Sequence, residues 1–174
     1  MTRPQMLHLT LVLGGARSGK SRHGELLIEA TPPPWHYFAT AEIRDEEMRE
    51  RISLHRQRRD SRWLTRDVPH DLAGALGAMR AGEGAVLIDC LTLWLSNMLL
   101  GDRNLDLEAN ALVEAMRATA VPVVAISNEV GLGIVPDNAL ARQFRDAAGV
   151  LNQRVAAVAD EVILAVAGLP LKVK

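Results

Sequence analysis

Leu9-Thr10-Leu11-Val12-Leu13 runs directly into Gly14-Gly15-Ala16-Arg17-Ser18-Gly19-Lys20-Ser21, which satisfies G-x-x-x-x-G-K-[ST] at every fixed position. The apolar run reads as a strand. The glycines let the chain turn so that backbone N–H groups converge on an anion, and the helix that follows aims its positive dipole end at the same point. This is the strand, loop and helix order of a phosphate-binding P-loop, in which Lys20 reaches the β- and γ-phosphates and Ser21 holds Mg²⁺.

Outward from this motif, Arg22 to Ala30 continues the helix with Leu26, Leu27 and Ala30 as its apolar side, and Thr31-Pro32-Pro33-Pro34 stops it. Strands are predicted at Trp35 to Thr40, Trp63 to Val68, Ala85 to Asp89, Val121 to Ser127 and Val162 to Val166, with Leu169 to Lys174 available as an edge strand. Helices are predicted from Glu42 to about Arg59, Asp71 to Ala81, Leu91 to Leu100, Leu107 to Thr119 and Asn138 to Ala159. The last of these carries Leu140, Phe144, Ala147, Leu151 and Val155 on one side. Short apolar strands alternating with helices predict an α/β fold, a mostly parallel central sheet with helices on both faces. No boundary or internal repeat interrupts the chain, so residues 1–174 are expected to form a single nucleotide-binding catalytic domain.

The composition, 48% hydrophobic and 24% charged with a formal net charge of -1, belongs to an ordinary globular protein. A nucleic-acid partner is not expected. The apolar runs are shorter than the roughly 20 residues of a membrane span, and the first residues lack signal-peptide features, so a cytoplasmic location is expected. Cys90 is the single cysteine, which excludes an internal disulfide and a multi-cysteine metal site; it is expected to be a small buried apolar residue.

In an open parallel sheet, ligands sit beyond the carboxyl ends of the strands. The P-loop, Ala39-Thr40-Ala41, Asp89 and Asn128-Glu129 all fall at such ends. Asp89 is the natural carboxylate to hold Mg²⁺ opposite Ser21. Asn128 and Glu129 open a polar, glycine-rich loop and are candidates for substrate contact. Six arginines, at 49, 51, 56, 58, 59 and 62, surround His55. A charge run of this kind is usually a solvated face. The alternative is that a neutral His55 imidazole attacks the α-phosphate of a nucleoside triphosphate while the arginines stabilise the phosphate charge.

Taken together these segments resemble the bifunctional adenosylcobinamide kinase / adenosylcobinamide-phosphate guanylyltransferase family of cobalamin biosynthesis. The residues that carry the resemblance are Gly14 to Arg22, Tyr37 to Ala41, Asp45 to Met48 with Arg51, Ile52, His55 and Arg56, Asp89 to Thr92 with Asn97, and above all Asn128 to Pro136, continued by Leu140 to Arg142, Phe144 to Asp146 and Asn152 to Arg154. The resemblance implies a RecA-like P-loop NTPase fold, trimer formation in some members, and two reactions: phosphorylation of the aminopropanol hydroxyl of adenosylcobinamide by ATP or GTP, then transfer of GMP from GTP to that phosphate. It also implies a GMP-histidine intermediate on His55. Nucleotide contacts are implied at Gly14, Gly15, Ala16, Arg17, Ser18, Gly19, Lys20 and Ser21, at Ala39, Thr40 and Ala41, at Arg56, Gln57, Arg58 and Arg59, and at Asp67 and Asp89. Those two aspartates stand where relatives can carry the longer glutamate. Two other readings compete: a P-loop kinase for a different small alcohol, without a covalent intermediate, and a nucleotide-hydrolysing regulatory module.

Overall fold

The computed structural model describes residues 8–42 and 59–174. The elements are β1 (Leu9–Gly14), α1 (Lys20–Glu29), β2 (Trp35–Ala39), β3 (Trp63–Asp67), α2 (Leu72–Gly77), β4 (Ala85–Asp89), α3 (Leu91–Leu100), α4 (Leu105–Ala118), β5 (Val123–Asn128), α5 (Ala139–Val158), β6 (Glu161–Val166) and β7 (Leu169–Lys172). The helix expected between Glu42 and Arg59 lies, apart from those two end residues, outside the described residues, and with it His55, Arg56, Gln57 and Arg58.

The strands form a seven-stranded sheet in the order β3-β2-β4-β5-β1-β6-β7. All neighbours are parallel except β6 and β7, which are antiparallel. Parallel neighbours need crossovers; α1 joins β1 to β2, α2 joins β3 to β4, α3 and α4 join β4 to β5, and α5 joins β5 to β6. The antiparallel pair needs only a tight turn, which Ala167 and Gly168 make with φ of 51° and 81°.

Strand alternation sends apolar side chains to both faces of the sheet. Leu9, Leu11, Phe38, Val86, Ile88, Val123, Ala125 and Val162 pack in a core shared with α2, α3, α4 and α5. Val12, Trp35, Tyr37, Ala39, Ala85, Leu87, Val124 and Ile126 face the other way, where Ile28 of α1 joins them. By the same alternation Gly14, Asp89 and Asn128 fall on the α1 face at the carboxyl ends of their strands.

The phase of α1 differs from the expected one. Gly24, Glu25 and Ile28 are its buried residues, whereas Leu26 is 48% exposed and Ala30 is exposed. The P-loop fixes the rotation at which the helix leaves the sheet, and Gly24 then lies against it: a Cβ there would sit 3.0 Å from Ile126 Cδ1 and 3.1 Å from Leu87 Cδ1. The predicted side of α5 holds in its second half, with Leu151 and Val155 buried, while Leu140 is 51% exposed. The helix α2 is shorter than the predicted span of Asp71 to Ala81.

Polar side chains supply the helix starts. Asp71 accepts from Gly74 N, Asn104 from Leu107 N and Asn138 from Ala141 N, each satisfying a first-turn amide. At the other end of α5, Lys174 Nζ donates to the carbonyls of Ala156, Ala157 and Ala159, where a cation complements the helix dipole.

Candidate active site

The P-loop follows from local covalent geometry. Gly14 ends β1, and a Cβ on it would collide with Ser18 Oγ and lie 2.8 Å from the Ala165 carbonyl. Arg17 and Gly19 take positive φ of 56° and 92°, and Gly19 leads into α1. A Cβ at Gly19 would approach Gly168 Cα at 3.0 Å, and Gly168 N donates to the Ser18 carbonyl at 2.9 Å. The β6–β7 turn therefore braces the loop from the side. Lys20 Nζ donates to the Gly15 carbonyl at 3.0 Å.

The other strand ends converge on it. Ala39 is the register partner of both Asp67 and Asp89, Asp89 pairs with Ile126, and Asn128 pairs with Gly14. Glu129 N donates to the Gly14 carbonyl at 3.1 Å, and the Glu129 carboxylate accepts from Gly131 N. Two buried polar atoms beside the loop, Ser18 Oγ and Asn128 Oδ1, have no hydrogen-bond partner among the described residues. Desolvated polar atoms normally find one, so these two atoms remain for a ligand or water to satisfy.

Asp89 does not stand alone. Tyr37 Oη donates to its Oδ2 at 2.9 Å. Burial, and then the negative charge of Asp89, push the Tyr37 phenol well above its ordinary range. The Arg59 guanidinium lies 3.4 Å from the centre of the Tyr37 ring, and Trp63 meets that ring edge-on at 6.3 Å. Next along the chain, Cys90 is buried, and burial followed by the Asp89 charge raises its thiol to about 11. It is the small buried residue expected of it.

A second polar layer holds the loops. Thr40 is fully buried; its Oγ1 donates to the Cys90 carbonyl and accepts from Cys90 N, both at 2.8 Å. Asn97 Nδ2 donates to the carbonyls of Thr40 at 2.8 Å and Pro69 at 2.9 Å, so α3 ties together the loops after β2 and β3. On the β5 side, Thr92 Oγ1 accepts from Asn128 N at 2.7 Å, Ser127 Oγ donates to Asn152 Oδ1 at 2.7 Å, and Asn152 Nδ2 reaches the Asn128 carbonyl at 3.3 Å. Such a closed network fixes Asn128 from two helices at once.

A family model described as cobinamide kinase / cobinamide phosphate guanyltransferase matches residues 10–173. The chain belongs to this family. Among its relatives, the bifunctional adenosylcobalamin biosynthesis protein CobU of Salmonella typhimurium is 42% identical over 181 residues, covering 95% of this chain and 99% of that protein. CobP of Pseudomonas aeruginosa, which carries the same bifunctional description, is 44% identical over 166 residues, covering 94% and 96%. A solved protein from Pyrococcus horikoshii shares the fold at a TM-score of 0.54 and 9% identity, covering 96% of this chain and 86% of that one. The α/β architecture read from the sequence, a mostly parallel central sheet with helices on both faces, is the one found.

For this member of the cobinamide kinase / guanyltransferase family, the fold thus gathers the P-loop, Ala39 to Ala41, Asp67, Asp89, Asn128 and Glu129 at one end of the sheet. Arg59 comes to the same end, over Tyr37. Sequence reasoning gave no task to Tyr37, Thr92, Asn97, Ser127 or Asn152. The available signal was the presence of Thr92 and Asn97 inside a mostly apolar helix, since a polar residue kept in a buried face needs a partner. Among the described residues, no helix is long and apolar enough to cross a membrane.

Proposed function

We propose that the protein is a cobinamide kinase and cobinamide-phosphate guanylyltransferase that uses one phosphate-binding site for two transfers. The observation that carries this reading is the convergence of the P-loop with Asp89 and the unpartnered Ser18 and Asn128 side-chain atoms at one sheet end. In a chain matched to the family over residues 10–173, that convergence supports a phosphate-handling site. In the first transfer the aminopropanol hydroxyl of adenosylcobinamide attacks the γ-phosphorus of ATP or GTP, and the nucleoside diphosphate leaves. The P-loop amides and Lys20 hold the phosphates and stabilise charge on them, while Asn128 and Glu129 face the acceptor.

Ser21 and Asp89 offer hard oxygen donors. Mg²⁺ takes one or two such protein oxygens and completes its shell with phosphates and water. When bound there, the ion supplies charge neutralisation on the phosphate oxygens.

In the second transfer, the His55 imidazole attacks the α-phosphorus of GTP and pyrophosphate leaves. An oxygen of adenosylcobinamide phosphate then attacks the same phosphorus, the P–N bond breaks, and adenosylcobinamide-GDP forms. Arg56, Gln57, Arg58, Arg59 and Asp67 are the remaining nucleotide contacts in this reading. The test is intact-mass analysis after brief incubation with GTP and Mg²⁺. Wild type is expected to gain one GMP and His55→Ala none. No gain in wild type under turnover conditions removes the covalent intermediate and leaves direct transfer or a kinase alone.

A further inference from the structure

Tyr37 and Asp89 occupy adjacent parallel strands in fixed register, Ala39 opposite Asp89. Tyr37 is two residues back from Ala39, so its side chain stands on the same face of the sheet and reaches along it to the carboxylate. The hydroxyl donates to Oδ2 at 2.9 Å, and Oδ1 accepts no hydrogen bond from the described residues. The ring itself is held on several sides: Tyr37 is 5% exposed, Trp63 packs edge-on, and the Arg59 guanidinium covers one face. A tyrosine has two side-chain torsions. With both fixed by packing, its hydroxyl is a stationary donor.

A carboxylate at a strand end can otherwise rotate between using one oxygen and both. Anchoring one oxygen selects a single orientation, which is how partners of metal-binding side chains tune affinity. We propose that Tyr37 is a positioning residue for Asp89: its hydroxyl holds Oδ2 so that Oδ1 is presented to the divalent cation that accompanies the nucleotide. Arg59 and Trp63 set the ring, so both are joined through it to the carboxylate of the phosphate site. This rests on the assignment of Asp89 as a cation contact made above.

The test uses the intact protein with Mn²⁺ as the probe and a non-hydrolysable GTP analogue at saturation, with bound and free Mn²⁺ separated by electron paramagnetic resonance. Tyr37→Phe keeps the ring and its contacts with Arg59 and Trp63 and removes only the hydroxyl. The expected result is a Mn²⁺ affinity weakened about 10-fold in Tyr37→Phe, with at least as large a loss in Asp89→Asn. Affinity for the analogue without metal should be unchanged in Tyr37→Phe. Mn²⁺ affinity within twofold of wild type in Tyr37→Phe, beside a clear loss in Asp89→Asn, overturns the proposal and leaves the Asp89 assignment intact. No loss in Asp89→Asn overturns that assignment and the proposal with it.

A second readout needs no variant of Tyr37. The chain has a single tyrosine, so protein labelled with ¹³C at tyrosine Cζ gives one resonance. It is expected to shift when Mg²⁺ and the analogue bind to wild type and to stay in place in Asp89→Asn. An unmoved line in wild type with bound ligand also overturns the proposal.

Discussion

Cys90 shows how a single buried group contributes an alkaline pH dependence to the stability of the fold. Burial and the neighbouring Asp89 charge raise its thiol to about 11 from an ordinary 9.0. A thiolate is the reactive form, so native protein near neutral pH should resist alkylation and become labelled in denaturant, which mass analysis reads directly. The stability consequence has a definite sign. The folded state favours the neutral thiol, so between about 9 and 11 the unfolded chain has already lost a proton that the folded chain keeps. Stability is complete below that window and falls as pH rises through it. Denaturant melts across the window should show the decline, and Cys90→Ala should flatten it. Tyr37, raised for the same first reason, acts in the same direction at higher pH.

Among the elements, α1 is the one whose position matters most for chemistry, because it begins at Lys20 and Ser21. Its close approach to the sheet depends on Gly24, where even a Cβ would lie 3.0 Å from Ile126. Gly24→Leu should therefore destabilise: overpacking costs about 1–3 kcal/mol, against roughly 1 kcal/mol returned by better helix propensity. Thermal denaturation should place this variant below wild type, and its nucleotide affinity should fall with the displaced helix start. Leu26→Gln on the exposed side of the same helix should change stability by no more than about 0.5 kcal/mol. The reverse outcome would mean that the helix packs in the phase suggested by Leu26, Leu27 and Ala30. The element α3 acts differently. Leu91, Trp94, Leu95 and Met98 are buried in the core, and Asn97 holds the loops after β2 and β3.

For the whole molecule, the proposed site predicts that nucleotide stabilises the fold, because a ligand held by the assembled strand ends has no site on the unfolded chain. At 100 times its Kd, GTP with Mg²⁺ should add about 2.7 kcal/mol, a rise in Tm of roughly 5–10 °C for a chain of this size. Lys20→Ala should fold with a similar Tm in the absence of nucleotide, since Nζ contacts the Gly15 carbonyl at an exposed position, and should lose most of the ligand-induced rise. An undiminished rise would remove Lys20 from phosphate binding. Much of this site was legible beforehand because its parts are local. Strand, loop and helix of the P-loop lie within a short stretch, and β4 at Ala85–Asp89 and α3 at Leu91–Leu100 match the predicted spans residue for residue. The sequence by itself determined the phosphate loop, the strand ends and the α/β alternation, because glycine positions, apolar runs and helix caps act over a few residues. Only the tertiary structure decided the phase of α1, the Tyr37 bond to an aspartate 52 residues away, and the clamp of Thr92, Ser127 and Asn152 on Asn128. Those depend on which strands become neighbours and in what register, and sheet order is a property of the packed whole that no local pattern encodes.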